Sequence, residues 1–175
     1  AEVTAFSEAR IMNVTSVPSG LRPFAVEDQV LNFGQQYTLK YGAGGGSGGN
    51  FGALALGGSG ASRYKNNIIN GYTGNIKIGD SVKVGDWVET EPGNMSGPTE
   101  EGIEELISRC THSPRCTFDS YDPDCPRIIT VVIADSLDVK GRSEIRVEGF
   151  ASFFLEGVAG HGNESIVTGR FIRTV

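Results

Sequence analysis

The chain has 175 residues, 38% of them apolar, with 15 Lys plus Arg against 21 Asp plus Glu and a net charge of −6. That length is one domain's worth, and an acidic balance with no basic block interleaved with aromatics argues against a nucleic-acid partner. No apolar run approaches the ~18 residues of a membrane span.

In chain order, residues 1–17 alternate, with Val3, Ala5, Ser7, Ala9 and Ile11 on one face and Thr4, Phe6, Glu8 and Arg10 on the other. Period two over this length predicts a strand. Its face of small residues suits a tight groove, either on the domain's own sheet or on the edge of a neighbour's. Residues 1–20 are therefore set apart as an N-terminal strand, and 21–175 as a single β-rich domain. The start Ala1-Glu2-Val3, without Met, is what a processed chain or a piece of a longer one presents. It leaves room for an anchor or signal before it.

Pro18-Ser19-Gly20 reads as a turn, and residues 21–30 as an apolar lead-in. Residues 35–41 alternate Tyr37, Leu39 and Tyr41 against Gln36, Thr38 and Lys40, a strand running into glycine. Half of the residues from 41 to 60 are glycine, and the peptide Phe51-Gly52-Ala53-Leu54-Ala55-Leu56 lies among them. Glycine permits positive φ and close backbone approach. The stretch is either a solvated loop followed by a strand over 50–56, or backbone pressed against a partner, an ion or a phosphate. In both versions Phe51, Leu54 and Leu56 are expected to be buried, and the glycines beside them to form close-packed turns.

Residues 61–70 predict a short helix that buries Tyr64, Ile68 and Ile69 and stops at Gly71. Two Gly-Asp pairs between β-branched residues, at Asp80 and Asp86, mark tight turns of a meander. Such aspartates bond their own backbone more often than they catalyse. Thr99 is placed to cap a second helix, with Glu100 and Glu101 in its first turn and Ile103, Leu106 and Ile107 on its inner stripe. Residues 127–134 are a near-continuous β-branched run, the mark of a central strand covered on both faces. Residues 143–158 predict a long bent strand rich in Phe, and 164–175 a last strand. The class is mainly β, a sandwich or barrel-like domain with two short helices and a Gly-rich loop.

Cys110, Cys116 and Cys125 are clustered in a polar loop with three prolines. Such a cluster predicts a disulfide staple, Cys116–Cys125 or Cys110–Cys125, with one cysteine left over. The rival is a zinc site with His112 as fourth ligand, although the spacings differ from the usual C-x2–4-C knuckle. Asp119, Asp122 and Asp124 in the same loop are candidate calcium donors, without the glycine and final glutamate of an EF-hand. Sequons at Asn13, Asn94 and Asn163 are candidate glycosylation sites.

Several peptides recur in an order that carries a resemblance. They are Gly20-Leu21-Arg22-Pro23-Phe24-Ala25-Val26, Gly49-Asn50-Phe51-Gly52-Ala53-Leu54, Thr90-Glu91-Pro92-Gly93-Asn94, Gly97-Pro98-Thr99 and Gly149-Phe150-Ala151-Ser152-Phe153-Phe154-Leu155. Over nearly its whole length the chain resembles the C-terminal extracytoplasmic domain of TadE/TadG-like proteins, associated with Flp (Tad-type) pilus systems. Members typically carry an N-terminal transmembrane anchor, and none lies within these residues. The resemblance implies a structural, pilus-associated role and brings no catalytic residues.

The catalytic motifs agree. His112 and His161 are the only histidines, and the chain holds no G-x-S-x-G elbow, no GK[ST] and no HExxH. The G-x-G-x-x-G of Gly44, Gly46 and Gly49 is not followed by a helix and a downstream acid. The expectation is a non-enzymatic, extracellular or cell-surface protein acting by self-assembly or contact with other surface proteins. In a sharper form its N-terminal strand is donated to a neighbour. The alternative is a calcium- or carbohydrate-binding surface module; otherwise no cofactor is expected.

Overall fold

The computed structural model describes residues 14–43, 45, 50–73, 82–83 and 85–175. In chain order the described elements are β1 (Ser16–Val17), β2 (Ser19–Glu27), β3 (Gln36–Lys40), α1 (Ala61–Asn70), β4 (Tyr72–Thr73), β5 (Val82–Lys83), β6 (Trp87–Glu89), α2 (Ser96–Ser108), β7 (Ile128–Ala134), β8 (Glu144–Ala159) and β9 (Ile166–Thr174). A 3-10 turn, Gly162–Glu164, links β8 to β9.

The β-branched run becomes β7, and it is central. Main-sheet order is β3-β9-β8-β7-β2-β4, with β6 added alongside β8. β7 runs parallel to β2 and antiparallel to β8. Both of its faces are buried because its alternate side chains feed two different cores. Ile129, Val131 and Ile133 pack with Tyr64 and Ile68 of α1 and Ile103 and Leu106 of α2. Val132 and Ala134 join Leu54, Leu56, Val88 and Phe150 on the opposite face. A strand covered on both sides has no use for polar alternation, which is why this one reads as continuous hydrophobicity.

β8 pairs with three strands in succession: β6 through residues 144–146, β7 through 147–154 and β9 through 151–159. Register shifts interrupt the ladders on both sides, as in a strand that bulges to serve successive partners. The fold is mainly β with two short helices, as expected. The sequence reading allows a sandwich or a barrel, and the main sheet is open and mixed instead. Its helices cover one face. The small β1–β5 sheet and the long loop 109–127 share the other.

Local expectations fare unevenly. α1 has its expected bounds, with Gly71 after it. α2 begins earlier than expected, after Met95 in the left-handed region at φ 51. Thr99 is therefore inside the helix, not its cap, and Glu100 and Glu101 fall beyond the first turn. Pro98 explains the shift, since a proline is tolerated where helical N–H groups have no partner anyway. Thr99 Oγ1 bonds the Met95 carbonyl at 2.6 Å and shares a hydrogen bond with the Tyr64 hydroxyl at 3.1 Å. The helices touch closely at Gly102, where a Cβ would lie 3.0 Å from Ile68.

Residues 19–27, expected as a turn and lead-in, form β2, which passes residue 20 unbroken. Residues 50–56 form no full strand; they make single bridges from Ala53 to Phe24 and from Leu54 to Thr90. Leu54 and Leu56 are buried as expected, and Phe51 is only half-buried. Residues 1–13 lie outside the described residues, and with them Val3, Ala5, Ser7, Ala9 and Ile11. The described continuation, β1, pairs with β5 of the same chain. No helix among the described residues is long and apolar enough to cross a membrane.

Candidate functional site

α2 ends at Ser108 and β7 begins at Ile128, so residues 109–127 must close a long connection without a helix or strand of their own. Loops of that length in compact domains need a reason to stay ordered. Cys110, Cys116 and Cys125 are all buried here, and with Phe154 they form a third small core flanked by Phe118 and Tyr121. Arg127 fastens the loop to β8. Its guanidinium donates to the carbonyls of Leu155, Glu156 and Cys116 at 2.9, 3.1 and 3.2 Å and lies 4.6 Å from the centre of the Phe154 ring.

The three cysteines are free thiols. Cys125 Sγ stands 3.5 Å from Cys110 Sγ, well beyond the ~2.05 Å of a disulfide bond. His112 Nδ1 faces the same point, 3.6 Å from Cys110 Sγ and 3.4 Å from Cys116 Sγ. The four donor atoms all lie within 4.8 Å of one another. The other ring nitrogen, Nε2, points outward to Asp124 Oδ1 at 3.1 Å and Asp122 Oδ2 at 3.7 Å. Two of the three aspartates proposed as calcium donors thus face an imidazole. Asp119 is not part of either group.

The electrostatics follow from these contacts. The Cys110 thiol is pulled down to about 6, first by the Cys116 backbone N–H and then by His112. Burial pushes the Cys125 thiol up to about 12. The hydrogen bond to Cys110 raises His112, with Asp122 and Asp124 adding to the effect and desolvation opposing it. The Asp122 backbone N–H also reaches Cys116 Sγ at 3.5 Å.

A second polar constellation joins the end of β3 and the glycine-rich segment to the loop before α2 and to the β8–β9 connection. Lys40, at 0% exposure, donates from Nζ to Asn94 Oδ1 at 2.9 Å, Ser165 O at 2.9 Å and Ser165 Oγ at 3.1 Å. Three acceptors match the three donors of an ammonium group, while burial lowers its pKa to about 8 with Glu100 opposing. Glu91, also buried, accepts from the Gly60 N–H with both oxygens at 3.2 and 3.3 Å and so ties down the start of α1. Gly42 is pressed against Glu164, where a Cβ would meet backbone at 2.9 Å.

The remaining candidates are spread out. Asn94 Nδ2, the atom a glycan would use, donates to the Asn163 carbonyl at 2.6 Å, whereas Asn163 itself is exposed. Asn13 and Asp80 lie outside the described residues. Asp86 sits in the turn before β6, its carbonyl accepting from Val147 N–H at 2.7 Å. His161 is exposed between β8 and β9. The spacing Cys-x-His-x3-Cys was the available signal for the thiol–imidazole cluster. Lys40 and Ser165, by contrast, are 125 residues apart and share no pattern. No family model, curated protein or solved structure matches the chain.

Proposed function

We propose that the protein is a structural extracytoplasmic domain of a pilus-type surface system, similar in kind to the TadE/TadG-like proteins, and that it works by contact with other protein chains. The observation that supports this reading is the use the fold makes of the peptides behind the resemblance. Leu54 is a core residue, Glu91 holds the start of α1, Asn94 receives Lys40, and Thr99 meets Tyr64. Phe150, Phe153 and Phe154 each enter a different core cluster. A signature spent on bracing belongs to an architecture.

The test uses cells that make the protein. Immunogold labelling is expected on surface filaments or the outer face of the envelope, and protease added to intact cells is expected to remove the antigen. Label confined to the cytosol, with the antigen surviving protease, overturns the reading. Donation of the N-terminal strand is tested separately by removing residues 1–13, which keeps β1. Loss of assembly in negative stain supports donation, and unchanged assembly excludes it.

A further inference from the structure

We propose that Cys110, His112, Cys116 and Cys125 are the four ligands of a structural zinc ion that closes the loop between α2 and β7 on itself, beside Phe154 of β8. A tetrahedral zinc with bonds of about 2.3 Å to sulfur and about 2.0 Å to nitrogen has edges of about 3.8 Å between sulfurs and about 3.6 Å from sulfur to nitrogen. The separations found are 3.5 Å between Cys110 and Cys125, and 3.6 and 3.4 Å from His112 Nδ1 to Cys110 and Cys116. These three edges match those the ion requires, and all four donor atoms lie within 4.8 Å of one another.

A second observation points the same way. A zinc-bound imidazole commonly donates its other N–H to a carboxylate, which fixes the ring and raises its basicity. With Nδ1 turned inward, His112 offers Nε2 to Asp124 at 3.1 Å, and Asp122 stands behind at 3.7 Å. Two of the loop's three aspartates, Asp122 and Asp124, are thus arranged beside the histidine as its outer support. Three thiolates and an imidazole are soft and borderline donors, which suit zinc and disfavour calcium. All four positions come from the protein, so the site is closed and its role structural, not catalytic.

Binding holds all three sulfurs as thiolates, any remaining thiol protons passing to solvent, and leaves the Zn(S)3N unit with one net negative charge. The Arg127 guanidinium bonds the Cys116 carbonyl at 3.2 Å and so anchors one ligand's backbone. The mechanical consequence is that Cys110, at the end of α2, and Cys125, just before β7, are joined through one ion. The loop then has little freedom to leave Phe154.

The experiment uses the full chain, reduced and titrated with Zn2+ or Co2+. One Zn2+ per chain by elemental analysis is expected, with three thiols shielded from a thiol reagent until a chelator is added. Co2+ is expected to give the intense visible bands of a tetrahedral thiolate site, and the chelator to lower the melting temperature. Cys116→Ser should weaken and shift those bands. Should that variant fail to fold, Asp124→Asn leaves all four ligands in place and is expected to bind zinc 10–100-fold more weakly with a tetrahedral Co2+ spectrum. Only the weak bands of octahedral Co2+, or a chain two hydrogens lighter that binds no metal even after reduction, overturns the proposal. An unchanged melting temperature on chelation overturns the structural role, and unchanged zinc affinity in Asp124→Asn overturns the carboxylate support. None of these results depends on where the protein is located.

Discussion

At the scale of single residues, Glu91 shows how a charged side chain can be an architectural part. Burial raises its pKa above the ordinary 4.5, with the Gly60 N–H and Arg142 opposing and Glu89 adding to the rise. A carboxyl whose folded pKa is raised contributes stability that is fully present below its unfolded pKa and lost as pH climbs through the folded value. Glu91→Gln keeps an acceptor toward Gly60 and removes the buried charge. Its melting temperature relative to the parent is therefore expected to rise as pH climbs from the unfolded carboxyl's pKa, about 4.3, through the raised folded one. Thermal melts across that range check the sign, and a difference that shrinks with pH would contradict it. Little of this was legible beforehand. Thr90-Glu91-Pro92-Gly93-Asn94 stood out as a peptide, but its partners come from α1, β3 and the β8–β9 turn, and sequence spacing says nothing about such distances.

At the scale of elements, the junction between α1 and β4 is among the tightest places described. Gly71 has φ 78, and a Cβ there would lie 2.5 Å from the Gly20 Cα and 2.3 Å from an Arg22 guanidinium nitrogen. Gly71→Ala combines a left-handed backbone with a clash against backbone that cannot swing away. A loss of about 2–3 kcal/mol is expected in urea unfolding, and a loss below about 0.5 kcal/mol would show that β2 yields at this point. The sequence reading named Gly71 as a helix stop, which it is. That the same residue lets β2 and the end of α1 meet is a tertiary fact. α2 illustrates the converse. Its apolar stripe was readable from period, while its start was misplaced because Pro98 occupies the first turn without ending the helix.

For the whole molecule, one sheet supports the two larger cores on its opposite faces, and their unfolding is expected to be a single transition. Phe153 lies on the helix side and Phe150 on the opposite side, both at 0% exposure on the same strand. Phe153→Ala and Phe150→Ala are each expected to cost about 3–5 kcal/mol. Both should lower the urea midpoint with an unchanged slope, because unfolding remains one transition. A biphasic curve in either variant would show that the two faces are separate units.

What the sequence determined by itself was the material: a β-branched run that had to be covered on both faces, a helix ended by glycine, a mainly β class, and cysteines close together in one loop. These are local properties, written in periods of two and of 3.6 and in spacing along the chain. The tertiary structure decided which distant groups meet. It made the sheet open and mixed by setting β2 parallel to β7. It brought Ser165 to Lys40, and it turned His112 and its two aspartates toward three thiols that spacing alone had favoured as a disulfide. The physical reason is common to all of these. A strand's partners and a buried donor's acceptors are chosen by the packing of the whole chain, where residues far apart in sequence become neighbours only after the sheet has formed.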